Sequence, residues 1–284
     1  MIPGFRNPKN LADAIATLTG EPTWRPVAGG TDVLVQLHFG RSRSEGFVNL
    51  WGLLPRHIEE RGDEIHLGAG VTCGELAESP LVKAQLPALW EAARTMGSPQ
   101  VRNRATLGGN AGNASPAADM VPALIVDDAR VLVRNANDER AVSLCRLFTG
   151  PGATVLEPGD IIVGFIVTKP KAPSYARFDK LGFRQAQVIA AVNFSIRATG
   201  TQGAIDTVRI TWGSVAPTPV RSHGVEGILA GATLSDTSIA AAVEAVGTDI
   251  SPIDDHRASA AYRLTVARSF LRRALKECQS WLST

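Results

Sequence analysis

Two short stretches constrain this chain more than any other feature: Gly29-Gly30-Thr31-Asp32 and Gly108-Gly109-Asn110. Glycine loses more backbone freedom on folding than any other residue, so an adjacent pair calls for a reason. Either the backbone must adopt positive φ, or something must approach it with no side chain in between. Each pair precedes an apolar run suited to a helix, with Val33, Leu34 and Leu37 after the first and Val121 and Leu124 after the second. Gly-Gly running into a helix start leaves N–H groups pointing outward, with partial positive charge behind them, which is a device for anions. A plain change of chain direction is the alternative for either pair alone. Two such pairs in one half of the chain point to a diphosphate held from both sides. Asn110, Asn113 and Ser115 add short donors and acceptors that suit ribityl or ribose hydroxyls. Asp119 stands where a helix N-cap or a ligand acceptor belongs. GxGxxG after a strand and GxxxxGK[ST] are both missing, which disfavours Rossmann and P-loop readings.

Other classes are excluded by composition. The chain has 284 residues, 44% hydrophobic and 20% charged, as an ordinary globular protein does. A net charge of +2 gives no nucleic-acid or membrane footprint. The N-terminus lacks the apolar core of a signal peptide, and runs such as Val121 to Val126 fall far short of a membrane span. A cytoplasmic location is the expectation. Cys73, Cys145 and Cys278 form no CxxC pair, and the histidines form no HxxxH or HExxH group. No metal site of this chain alone is expected, and no nucleophile–base pair or carboxylate pair marks a catalytic residue.

Along the chain, Asn10 reads as the N-cap of a helix carrying Leu11, Ala14, Ile15 and Leu18. Strands are expected at 25–28, 47–50, 64–67, 130–134 and 161–168, and helices at 87–96 and 117–126. Lys169 to Ser174, with two prolines, reads as a linker. Beyond it, 190–198 and 204–213 form a hairpin around Gly200 to Gly203, followed by helices at 224–229, 238–246 and about 257–282. In the last helix Leu264, Ala267, Leu271 and Leu275 make an apolar stripe. Arg263, Arg268, Arg272, Arg273 and Lys276 read as its solvated face, with a docking face for an acidic partner as the alternative.

The stretches "VAGGTDVLVQL" and "QVRNRATLGGNAGNASPAADMVPAL" resemble the FAD-binding medium subunit of the molybdenum hydroxylase family, which includes xanthine and carbon monoxide dehydrogenases. The likeness continues in order through "VLEPGDIIVGFIV", "FDKLGFRQAQVIAAVNFSIR" and "SPIDDHRASAAYRLTVARSFLRRAL". It implies an α+β fold: an FAD-binding domain of the vanillyl-alcohol-oxidase (PCMH) type over 1–170, in subdomains of about 1–58 and 59–170. A smaller α+β C-terminal domain over 175–284 would follow.

The resemblance also implies that Ala28, Gly29, Gly30, Thr31, Asp32 and Val33 bind the FAD pyrophosphate. Thr106, Gly108, Gly109 and Asn110 would meet the pyrophosphate and ribityl region, near Asn113 and Ser115. Asp119 would lie beside the ribityl chain, Ile162 near the flavin or adenine, and Lys180 at the isoalloxazine edge. Many relatives carry two adjacent basic residues after that lysine, where this chain has Phe183-Arg184. The implied partners are a small subunit with two [2Fe–2S] clusters and a large molybdopterin subunit, in an α2β2γ2 assembly. This chain would then pass electrons from the clusters to an external acceptor. The hydroxylated substrate would be an N-heterocycle or purine, an aldehyde or CO. The alternative is an autonomous FAD-dependent oxidase or reductase of the same fold.

Overall fold

The computed structural model describes residues 4–41, 44–184 and 188–283. The chain opens with β1 (Gly4–Arg6), α1 (Leu11–Gly20), β2 (Arg25–Val27), α2 (Val33–His38) and β3 (Gly46–Asn49). The three strands form a parallel sheet in the order β1-β3-β2. Helix α1 starts where Asn10 Oδ1 accepts from the Asp13 amide at 2.9 Å, and it buries Ala14, Ile15 and Leu18.

A second sheet is built from β4 (Ile58–Arg61), β5 (Glu64–Gly68), β6 (Arg130–Arg134), β7 (Glu139–Ser143) and β10 (Ile161–Thr168). It is antiparallel in the order β4-β5-β10-β6-β7, while β8 (Phe148–Gly150) and β9 (Ala153–Thr154) pair separately. Between β5 and β6 run six short helices: α3 (Cys73–Glu78), α4 (Pro80–Gln85), α5 (Pro87–Thr95), α6 (Pro99–Arg102), α7 (Leu107–Gly112) and α8 (Met120–Ile125). Their starts are written locally. Thr72 and Glu75 form a capping box, Ser79 and Ser98 cap α4 and α6, and proline occupies the first turn of α4, α5 and α6. One core joins both sheets to these helices, with Ile15, Val48, Leu67, Leu89, Leu124 and Phe165 all buried in it.

The last part is an antiparallel sheet of β11 (Tyr175–Leu181), β12 (Val192–Thr201), β13 (Ala204–Gly213) and β14 (Val220–Arg221), covered by α9 (His223–Leu229), α10 (Asp236–Asp249) and α11 (Ala260–Leu282). Strand side chains alternate in direction. Val192, Phe194, Ile196 and Ala198 enter a second core with Leu271 and Leu275 of α11. Asn193, Ser195 and Arg197 take the other face, and they too are buried. The class is α+β, as the element order implies. Among the described residues no helix is long and apolar enough to cross a membrane.

Three expectations change. The helix expected over 117–126 is only Met120–Ile125. The second glycine pair lies inside α7 rather than between a strand and a helix. Arg263, read as solvated, is buried. It donates to the carbonyls of Ala191 (2.5 Å) and Ser214 (2.8 Å) and to Asp255 (2.7 Å), so a charge in an apolar setting is matched by fixed acceptors. Arg268, Arg273 and Lys276 are held by Glu244, Asp179 and Asp236 of the same chain. In the "KLGFRQAQV" stretch, Gln185 to Gln187 fall outside the described residues.

Candidate functional site

At the end of β2 the carbonyl of Val27 accepts from the Leu50 amide at 2.8 Å, and the chain then turns through Gly30 at φ +74°. Glycine alone adopts that angle freely. From Gly29 through Thr31 and Asp32 to Val33, no backbone amide has an acceptor among the described residues. The carbonyls are used instead, Gly30 accepting from Leu34 (3.2 Å) and Asp32 from Gln36 (2.9 Å). Successive free amides at a turn make a concavity for an anion. Ala28, Thr31 and Val33 are half-buried, and Asp32 is exposed with its carboxylate bonded to Gln36. Gly29 has a packing reason as well. A Cβ there would stand 1.8 Å from the carbonyl oxygen of Arg104, so only glycine lets the two segments touch.

The second pair is used differently. Thr106 is buried, forms a bridge with Thr72, and caps α7 by accepting from the Gly109 amide at 3.0 Å. The amides of Leu107 and Gly108 donate to Val71 and Ala69, and that of Asn110 to Thr106, each at 2.9 Å. The two glycine pairs are therefore not alike in their backbone: here the amides of Leu107 and Gly108 close onto the turn between β5 and α3, and those of Gly109 and Asn110 onto Thr106. A Cβ on Gly108 would lie 2.7 Å from that of Ala69. Gly109 is exposed, and a Cβ there would meet only its own cap, Thr106 Oγ1, at 2.9 Å. Asn110 Oδ1 is buried without a partner among the described residues. Asn113 Oδ1 accepts from Gln36 Nε2 at 3.1 Å, which ties this segment to the first. Ser115 accepts from the Ala117 amide at 3.2 Å, just after Ala114, a non-glycine residue at φ +48°. That strained residue is held by the Gly152 amide on its carbonyl at 2.9 Å.

Asp119 makes no side-chain cap bond to α8. Its carboxylate receives Lys180 Nζ at 2.5 Å and Asn193 Nδ2 at 3.2 Å. Both ends of the Asp119–Lys180 pair are less than a tenth exposed, and burial pushes the Asp119 carboxyl up against the pull of Lys180. Two residues expected at the site thus meet each other. Ile162 is buried in β10 under α7, where a Cβ on Gly112 would stand 3.7 Å from its Cδ1. Cys73 lies in the core against Met120, and burial pushes its thiol up to about 12, so it is inert.

Sequence reading missed Gln36, Asn193 and Arg104. Gln36 bonds both Asp32 and Asn113, and the guanidinium of Arg104 stacks 3.8 Å from the Trp51 ring centre. None carries a local signal, since Gln36 and Asn113 are 77 positions apart. The residues present fit an FAD. Free amides, two of them on glycines, suit its diphosphate, the exposed Gly109 leaves room for close approach, and the Asn110 oxygen suits a donor such as a hydroxyl.

Comparison with known proteins gives the same direction. Residues 4–170 match the family described as FAD binding domain in molybdopterin dehydrogenase, and 177–278 match the CO dehydrogenase flavoprotein C-terminal domain. A xanthine dehydrogenase FAD-binding subunit of Escherichia coli O157:H7 is 31% identical over 277 residues, covering 96% of this chain and 94% of that one. The carbon monoxide dehydrogenase medium chain of Hydrogenophaga pseudoflava is 28% identical, covering 95% of each. A glyceraldehyde dehydrogenase medium chain of Sulfolobus acidocaldarius is also 28% identical, with 95% of each covered. Among solved structures, a chain of a Cu,Mo-CO dehydrogenase superposes with a TM-score of 0.92 at 28% identity, covering 99% of both. A CO dehydrogenase of Hydrogenophaga pseudoflava that lacks the Mo-pyranopterin moiety of its molybdenum cofactor gives 0.92 at 29%, covering 97% of this chain and 98% of that one.

Proposed function

The chain belongs to the FAD-binding family of molybdopterin dehydrogenase subunits, and we propose that it is the flavin-carrying electron-transfer subunit of a molybdenum hydroxylase. The observation that carries this reading is the likeness over 94–95% of the length of chains named as FAD or medium subunits. In the proposed assembly a large subunit with molybdopterin hydroxylates the substrate, and a small subunit with two [2Fe–2S] clusters relays electrons to this chain. The names of the relatives favour a purine or other N-heterocycle, an aldehyde or CO as substrate. We propose an α2β2γ2 complex in the cytoplasm, with residues 1–170 as the FAD domain and 175–284 as the C-terminal domain.

Bound FAD supplies the ability to accept electrons singly and release them as a pair, joining one-electron clusters to a two-electron acceptor. The chain's own residues bind and orient. The amides of Gly29 to Val33 hold the diphosphate, with Ala28 and Thr31 at its flank. Thr106 fixes α7 so that Gly108 packs on Ala69 and Gly109 faces the ligand. Asn110, Asn113 and Ser115 meet ribityl hydroxyls, Ile162 closes the floor under α7, and Asp119 with Lys180 lines the flavin end. Lys180 donates to Asp119, which fixes where its ammonium sits.

Co-purification of the tagged chain, with flavin and metal analysis, tests the reading. The expected result is one non-covalent FAD on this chain, with iron and molybdenum entering only with two further subunits. Anaerobic addition of xanthine, glyceraldehyde or CO to a flavin-depleted complex should then bleach the cluster absorbance for one of them. An isolated chain whose flavin is reduced directly by one of these compounds would establish the autonomous oxidase or reductase instead.

A further inference from the structure

Strand β12 and the stretch around α8 meet at two points whose spacings agree. At one end Asn193 Nδ2 donates to Asp119 Oδ1 at 3.2 Å and to the carbonyl of Ala118 at 3.1 Å. At the other end Arg197 Nε lies 2.9 Å from Asp127 Oδ1. From Asp119 to Asp127 the chain is α8 and its closing turn, which advances ~12 Å at ~1.5 Å per residue. From Asn193 to Arg197 an extended strand advances ~13 Å at ~3.3 Å per residue. Strand and helix are therefore commensurate, and a slip of one residue would turn the polar face of β12 away from both aspartates.

Each contact has a cross-strand neighbour beside it. Lys180 stands opposite Asn193 in the sheet, and both converge on Asp119. Arg209 stands opposite Arg197, and it reaches Asp128, which Arg221 also meets at 3.2 Å. Asp127 and Arg197 are almost fully buried, and neither Asp127 oxygen makes a well-aligned hydrogen bond. Burying such a pair recovers little stability. Between the two ends the hydroxyls of Ser195 and the opposite Thr211 are buried without a partner among the described residues.

We propose that this face of the C-terminal sheet is a splint for α8, which sets the pose of the Asn110 to Asp119 stretch against the flavin end of the cofactor. Arg197 and Asp127 are then positioning residues at the end of α8 opposite Asp119. The inference rests on the FAD reading of that stretch, and it predicts an effect on the flavin half of the ligand alone. The free amides of Gly29 to Val33, which hold the diphosphate, belong to another segment.

The test is equilibrium binding of FAD and of ADP to the full chain, with visible circular dichroism of the bound flavin. Arg197→Met should weaken FAD by about tenfold, the equivalent of ~1.4 kcal/mol, and alter the flavin dichroism while ADP affinity holds. Arg197→Lys, which keeps the charge, should recover part of both. If Arg197→Met does not fold, Asp127→Asn, which preserves side-chain volume, carries the same expectation. Unchanged FAD affinity and dichroism would overturn the splint, and so would an equal loss for ADP and FAD, which marks general damage. A wild-type chain that binds ADP and no FAD would instead overturn the FAD reading and the splint with it.

Discussion

The backbone amides of Gly29 to Val33 have no acceptor among the described residues, whereas those of Leu107 to Asn110 all end on oxygens of the protein. Both segments carry Gly-Gly, and both precede a helix or lie in one. The difference is what each glycine is pressed against. Gly29 lies on the backbone of Arg104 and Gly108 on Ala69, so these two glycines bring segments of the chain together. Gly30 supplies a left-handed turn, and Gly109 is exposed beside the Thr106 hydroxyl that caps its own helix. A glycine pair beside a ligand is thus a mixture of packing, conformation and access, and the hydrogen-bond inventory of the amides tells them apart.

Substitutions by alanine take this difference apart, beginning with the largest effect. Gly29→Ala drives a methyl into a carbonyl group that cannot move alone, and it should cost roughly 3 kcal/mol and abolish FAD retention together. Thermal melts and flavin content of the purified chain measure both. Gly108→Ala meets the Ala69 methyl at 2.7 Å and its carbonyl oxygen only at 3.0 Å, and should cost about 2 kcal/mol with FAD affinity falling only as far as α7 shifts. A destabilised Gly108→Ala that has lost all flavin would show that the second segment also binds through its backbone. Gly30→Ala is strained by its φ of +74° by about 1 kcal/mol. Its FAD dissociation constant, measured by fluorescence titration, should still rise, because the free amides change direction.

Gly109→Ala is the smallest case for stability. Its φ is outside the left-handed region, and alanine improves a helix position by about 1 kcal/mol while crowding the Thr106 cap by a similar amount. A melting temperature near wild type with weakened FAD would place the ligand against this exposed glycine. A wild-type affinity would remove Gly109 from the site.

How far the sequence speaks depends on the range of the interaction. The Asn10 cap, the strands Arg130–Arg134 and Ile161–Thr168 and the hairpin of β12 and β13 are legible, since caps, alternation and turn residues act over a few positions. Helix α7 is not, because Leu-Gly-Gly-Asn-Ala-Gly is a poor helix by propensity and its first turn is held by Val71 and Ala69, far back in the chain. Arg263 looks solvated beside Arg268, Arg272, Arg273 and Lys276 and is buried only because Ala191, Ser214 and Asp255 converge on it. The placing of Asp119 against Lys180 and Asn193 crosses more than sixty positions and leaves no local trace.

Hydrogen–deuterium exchange of the full chain with and without FAD tests the contrast between the two segments most directly, since exchange reads each amide's protection. The structure predicts that the amides of Gly29 to Val33 exchange fast in the free chain and slow down when FAD binds. Those of Leu107 to Asn110 should be slow in both states. Protection that instead appears at Leu107 to Asn110, with Gly29 to Val33 unchanged, would contradict the assignment of the diphosphate to the first segment.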